Sequence, residues 1–251
     1  MLESYRVRAN LGQPAMTYTH LLMMKKLRPA APQRVSAPVP PAAACLILAG
    51  GRSQRMGYDK ALLPLPAAEE KGQTFLGRLA RLALAQTPEV LVVVRDQSSA
   101  ACYADQLPAA VRLVVDLVPD QGPLMGLYSG LLAIRAPQAV ALAVDQPLLH
   151  PQLLAWLLGL PAHDERLAIP LVGQRPQVLL ARYPRSLVSV IAALLSRGQR
   201  NPRSLLTVAP VRWLSEEELR PLDPELRSFL NVNTIQDWQI LEEQLSEGRG
   251  Q

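Results

Sequence analysis

Residues Leu48-Ala49-Gly50-Gly51-Arg52-Ser53-Gln54-Arg55-Met56-Gly57-Tyr58-Asp59-Lys60 set adjacent glycines among cations, directly after the apolar run Ala44-Cys45-Leu46-Ile47. Glycine lets backbone N–H groups come close to an anion, and Arg52, Arg55 and Lys60 add positive charge. The chemistry that suits this pattern is phosphate handling. The loop is neither a Walker A nor a dinucleotide fingerprint: Tyr58 follows Gly57 where a P-loop has Lys-Ser/Thr, and no Gly-x-Gly-x-x-Gly occurs. Three other segments hold polar side chains beside apolar runs or helix starts. Asp116 follows Leu113-Val114-Val115 and precedes Gly122-Pro123-Leu124-Met125-Gly126. Asp145 follows Ala141-Leu142-Ala143-Val144 and precedes Gln146-Pro147, and Asn231-Val232-Asn233-Thr234 stands before the last helical stretch.

Each segment has two readings. Asp145 is a hard oxygen ligand for Mg²⁺, which binds through one or two carboxylates plus substrate phosphates, or a helix N-cap near Pro147. Asp116 lies near a nucleotide or forms a turn before Pro119. Gly122 brings backbone close to a nucleoside or only opens a helix. Asn233-Thr234 serves a site or caps the final helix. His20, His150 and His163 show no ligand spacing, and Glu216-Glu217-Glu218 reads as a solvated helix start.

These residues need elements to hold them. Strands are expected at Cys45–Ala49, Val90–Val94, Arg112–Val115 and Val140–Val144, each short and apolar enough to be buried on both faces. Helices are expected over 74–86, with Thr74 as cap, and over 98–106 and 124–135. Beyond them the pattern predicts a helix at Leu153–Leu158, strands at Leu167–Val172 and Gln177–Ala181, a helix at Leu187–Leu195, a strand at Val208–Leu214 and a helix at Ile235–Leu245. Alternating strands and helices imply right-handed crossovers and a mostly parallel sheet. In such a sheet ligands bind beyond the carboxyl ends of the strands, so the four segments should face one crevice.

Composition narrows the classes. The chain has 251 residues and is 49% hydrophobic and 19% charged, which suits a soluble globular protein. Its +5 charge belongs to one end. Residues 1–44 carry six basic and one acidic side chain, leaving twenty of each sign in residues 45–251. With aromatics at 4%, the body is not expected to bind nucleic acid. No run reaches the roughly 20 apolar residues of a membrane helix, so no membrane partner is expected. Cys45 and Cys102 form no disulfide framework, which fits a cytoplasmic setting. The Pro/Ala-rich stretch 29–43 predicts that residues 1–43 are a basic, disordered, dispensable tail and that 44–251 form one domain.

Taken together, the four segments resemble the molybdenum cofactor guanylyltransferase (MobA-type) family, within the nucleotide-diphospho-sugar transferase superfamily. The family's Leu-Ala-Gly-Gly…Asp-Lys loop, its Asp before Gly-Pro-Leu-x-Gly, its Asp-x-Pro and its Asn-x-Asn-Thr stand here at Leu48–Lys60, Asp116 with Gly122–Gly126, Asp145–Pro147 and Asn231–Thr234. The resemblance spans about residues 44–245. It implies a Rossmann-like three-layer α/β/α fold with a mostly parallel central sheet. The implied reaction is Mg²⁺-dependent transfer of GMP from GTP to the terminal phosphate of molybdopterin, giving a guanine dinucleotide cofactor and pyrophosphate. Leu48, Ala49, Gly50 and Gly51 would hold the nucleotide through backbone, with Gly122 and Asn233 beside it. Lys60 and Arg55 would offset phosphate charge, Asp116 would help bind GTP, and Asp145 would ligate Mg²⁺. Molybdoenzyme maturation proteins are the implied protein partners. The sequence departs from the family where Ile235 follows Asn-x-Asn-Thr in place of a frequent Pro, and where Arg175-Pro176 replaces a His-Pro or Gln-Pro. A cytidylyl or sugar-phosphate nucleotidyltransferase, and a nucleotide-binding regulator without turnover, remain as alternatives. Gly50-Gly51 favours GTP, because cytidylyl relatives tend to carry Ala-Ala-Gly there.

Overall fold

A computed structural model describes residues 41–51, 58–65 and 73–247, with side chains through 243. Residues 1–40 of the tail expected at 1–43, and Arg52 and Arg55, lie outside the described residues.

The strands are β1 (Ala44–Leu48), β2 (Val90–Val94), β3 (Arg112–Val115), β4 (Gln138–Ala143), β5 (Leu167–Val172), β6 (Arg175–Pro176), β7 (Leu180–Pro184) and β8 (Val211–Leu214). They form a sheet in the order β3-β2-β1-β4-β7-β5-β6, with β8 also on β5. Four neighbours, β3 to β4, are mutually parallel; β7 is antiparallel to β4 and β5, and β8 is parallel to β5. The sheet is therefore mostly parallel. Helices α1 (Phe75–Leu84), α2 (Gln97–Ala104), α3 (Pro123–Ala133) and α4 (Pro151–Leu158) supply the crossovers, followed by α5 (Val188–Ser196), α6 (Glu216–Leu219) and α7 (Ile235–Glu247).

Strand alternation divides the core. Cys45 and Ile47 point to the face where Leu76, Leu79, Leu153 and Leu157 of α1 and α4 pack. Ala44 and Leu46 point to the other, against Leu124, Leu127, Leu131 and Ile191 of α3 and α5. All five β1 residues are buried, as a two-sided strand requires. The three-layer arrangement follows from this two-sided burial. Gly130 lets α3 lie directly on β1: a Cβ there would sit 2.8 Å from Leu46 Cδ1.

Local signals work as expected in several places. Thr74 accepts from Gly77 N and caps α1. Ser215 and Glu218 form a reciprocal capping box at the acidic start of α6. Other boundaries move. The strand expected at Gln177–Ala181 is β7 at Leu180–Pro184, which runs on through the charged Arg182. Its side chain is buried, donating to Gln138 Oε1 and to the carbonyls of Asp164 and Arg166. The preceding residues make the short β6 after a turn in which Gly173 and Gln174 both have positive φ, as a tight hairpin requires. β8 begins at Val211 rather than Val208, since Pro202–Thr207 winds into a 3-10 helix.

Candidate active site

Three parallel strands deliver the sequence-predicted residues to one crevice. β1 runs out into Ala49-Gly50-Gly51, β3 ends beside Asp116, and β4 leads through Val144 to Asp145. Backbone bonds fix these exits: Ala49 N donates to Val93 O at 2.8 Å, Asp116 N to Val94 O at 2.8 Å, and Val144 N to Leu48 O at 3.3 Å. The cavity they enclose has a volume of about 290 Å³. Its walls include Leu48, Ala49, Gly50, Gly51, Lys60, Asp116, Gly122 and Asp145. Gly50 and Gly126 sit against Asp116: added Cβ atoms would lie 3.5 Å from Asp116 Oδ2 and 3.7 Å from Oδ1. Gly122 has φ +78° and ψ 178°, a region essentially reserved for glycine, and an added Cβ would stand 3.0 Å from Arg200 O. Its conformation turns the chain into α3 at the cavity wall.

Lys60 reaches the crevice from a 3-10 turn, Lys60–Leu62, capped by Asp59, whose carboxylate accepts from Ala61 N at 3.0 Å. Tyr103 Oη donates to the other Asp59 oxygen at 2.5 Å. The Lys60 side chain is only 15% exposed. Its Nζ donates to Asn233 Oδ1 at 2.7 Å and stands 4.0 Å from Asp145 Oδ2. Asn233 does not line the cavity wall but holds the lysine that does. Thr234 Oγ1 accepts from Asp237 N, the cap of α7 that one reading of Asn233-Thr234 expects, and Asn233 Oδ1 accepts from Lys60 Nζ. Asp145 does not cap α4; His150 occupies that position. Arg55 lies outside the described residues.

Burial sets the charges. The Asp145 carboxyl is pushed above the usual carboxylate range by desolvation, with Lys60 opposing. Desolvation also raises Asp116, to about 6. Its Oδ1 is buried with no hydrogen-bond partner among the described residues. Oxygen donors whose charge is resisted by burial suit a hard divalent cation completed by substrate phosphates. Among the described residues no three His, Cys, Asp or Glu side chains gather into a cage, so an ion here would depend on ligand oxygens.

The chain matches the family model described as "MobA-like NTP transferase domain" over residues 45–216. It belongs to that family. Among curated members, the Chloroflexus aggregans protein named "Probable molybdenum cofactor guanylyltransferase" is 38% identical over 202 residues, covering 78% of this chain and 92% of its own. The Methanosarcina mazei protein of the same name is 33% identical over 200 residues, covering 76% and 86%. Among solved structures, molybdopterin-guanine dinucleotide biosynthesis protein A from Archaeoglobus fulgidus superposes with a TM-score of 0.66 at 26% identity, covering 81% of this chain and 99% of that one.

Within this MobA-like domain, further residues shape the site. Val93 and Leu179 give the cavity apolar wall, and Asp120 lines it from a positive-φ position. Arg78 Nη1 donates to Pro147 O at 2.6 Å, which ties α1 to the turn carrying Asp145. An Asp between Pro119 and Gln121-Gly122-Pro123 is a readable turn signal. Arg78 carried none, being one arginine on an amphipathic helix.

Proposed function

We propose that this chain transfers GMP from GTP to the terminal phosphate of molybdopterin. A phosphate oxygen of molybdopterin attacks the α-phosphorus of GTP, the bond from that phosphorus to the bridging oxygen of the β-phosphate breaks, and pyrophosphate leaves with the bonding pair. The reading rests above all on one observation: Gly50, Gly51, Lys60, Asp116 and Asp145 all border one cavity. The names of the relatives supply the substrates. An anionic phosphate needs no general base, so positioning and charge compensation carry the rate. Backbone at Leu48–Gly51 would seat the nucleotide, and Gly122 would bring α3 against it. Lys60, with Arg55 of the same loop, would offset charge that develops on the phosphate oxygens. Asp145 would hold Mg²⁺ with Asp116 nearby, and the ion would supply further charge neutralisation at the phosphates. A cytoplasmic setting goes with this reading, and both cysteines are unpaired.

A thermal-shift panel of the four ribonucleoside triphosphates with Mg²⁺ tests the base. Stabilisation by GTP is expected, and stabilisation by CTP alone would replace the reading with cytidylyl transfer. With molybdopterin added, pyrophosphate release should fall on the order of 10²-fold in Asp145→Asn. Unchanged release would remove Asp145 from the metal role.

A further inference from the structure

Lys60 and the residue that holds it are 173 positions apart. What places Asn233 is therefore as much a part of the lysine's geometry as the Gly-rich loop. The start of α7 answers this. Asp237 Oδ2 accepts from both Asn233 N and Thr234 N, each at 2.8 Å, while Thr234 Oγ1 accepts from Asp237 N at 3.1 Å. One carboxylate oxygen thus holds the N–H groups of the two peptides that flank the Asn233 Cα. These N–H bonds, Asn233 first, hold the Asp237 carboxyl below the usual carboxylate range, so it stays charged at neutral pH.

Two further bonds join the segment to the cavity. Val232 N donates to Asp145 O at 2.9 Å, and Trp238 Nε1 donates to Pro64 O at 3.0 Å. Pro64 lies four residues beyond Lys60, and Trp238 packs against the buried cluster of Phe75, Val232 and Leu241, as do Leu63 and Leu65. The C-terminal segment therefore grips the Lys60 loop at Nζ and at Pro64, and grips the Asp145 turn at its carbonyl.

We infer that Asp237 and Trp238 are positioning residues for Lys60, acting through Asn233 and the Pro64 carbonyl, and that the start of α7 sets the distance between the site's cation and its Asp145 carboxylate. The inference rests on the proposed reaction only for its kinetic readout.

The test is a double-mutant cycle in the full chain with two readouts. Asp237→Ala should lower GMP transfer about tenfold, mostly in kcat, since a small displacement of a phosphate-facing cation costs rate. Asp237→Asn keeps an acceptor oxygen and should recover most of it. In an Asn233→Ala background, Asp237→Ala should add less than about twofold, because the route to Lys60 is already cut. Trp238→Phe keeps the ring in its cluster and removes only the donor to Pro64, and should slow transfer severalfold. The second readout needs no substrate. The chain has only four lysines, Lys25, Lys26, Lys60 and Lys71, so ¹⁵N-lysine labelling gives few side-chain signals. The Lys60 Nζ signal, identified by its loss in Lys60→Arg, should shift the same way in Asp237→Ala and Asn233→Ala. A Lys60 signal unmoved by Asp237→Ala, or a full tenfold loss that persists in Asn233→Ala, would overturn the inference. Absence of transfer in the wild-type protein would overturn the reaction instead, leaving the Lys60 signal to decide the positioning.

Discussion

Asp116 is a carboxyl held against Gly50 and Gly126, with the Ser129 hydroxyl only partly offsetting its desolvation. Its raised pKa, about 6 against an ordinary 3.8, means the folded protein prefers its proton. That preference stabilises the fold fully below about pH 4 and is lost as pH rises through 6, where a charged oxygen must remain buried without a bond. Asp116→Asn should therefore be more stable than the wild-type protein at pH 7.5, by about 1 kcal/mol once solvent screening of this half-buried group is allowed for, and no more stable near pH 4. Urea unfolding midpoints at the two pH values check this. That Asp116, Asp145 and Lys60 would border one crevice was legible in the sequence, because each follows an apolar run or paired glycines. Their partners were not. Nothing local to Lys60 announces Asn233, and nothing local to Asp59 announces Tyr103, since both contacts are made only by the tertiary fold.

Short elements buried on both faces were read well. Val90–Val94, buried at every position, has the expected bounds, since a strand with helices on both sides must be apolar throughout; the edge strand Arg112–Val115 also keeps its expected bounds, although Arg112 is exposed and the rest half-buried. The bounds shift at β7, which begins three residues later than expected and carries a charge in its interior. Arg182 is tolerated because the carbonyls of the 161–166 turn surround its guanidinium, and no periodicity argument contains that information. The turn into α3 makes a sharper test of element geometry. Gly122→Ala would place a methyl 3.0 Å from Arg200 O in a conformation that L side chains avoid. A loss on the order of 1–3 kcal/mol is expected. Nucleotide affinity should weaken alongside it, as α3 withdraws from the cavity wall. Denaturation combined with a GTP titration reads both, and an unperturbed protein would show that the turn has another route.

For the whole molecule, the boundary at the amino end can be argued from contacts. Ala43 is buried, and its carbonyl accepts from Thr87 Oγ1 at 2.7 Å, one residue before β1 begins. A chain lacking residues 1–40 should unfold at the same denaturant concentration as the full chain and keep its activity. A chain lacking 1–43 loses that bond and a buried methyl, and should be less stable by about 1–2 kcal/mol. Equal midpoints for the two truncations would show that Ala43 contributes nothing. A drop in the first would show that the basic segment supports the fold.

The central place of β1 has a consequence for synthesis. β1 is the first strand of the sheet, yet one of its neighbours, β4, pairs Ala44 with Ala139. At the roughly 5–20 residues per second of translation, Ala-Cys-Leu-Ile-Leu waits on the order of ten seconds for that partner. Through that interval an apolar strand edge is open to other chains, a hazard that a fold with neighbouring strands adjacent in sequence avoids. Asn233 emerges later still, so the lysine of the nucleotide loop acquires its partner only when nearly the whole chain has been made.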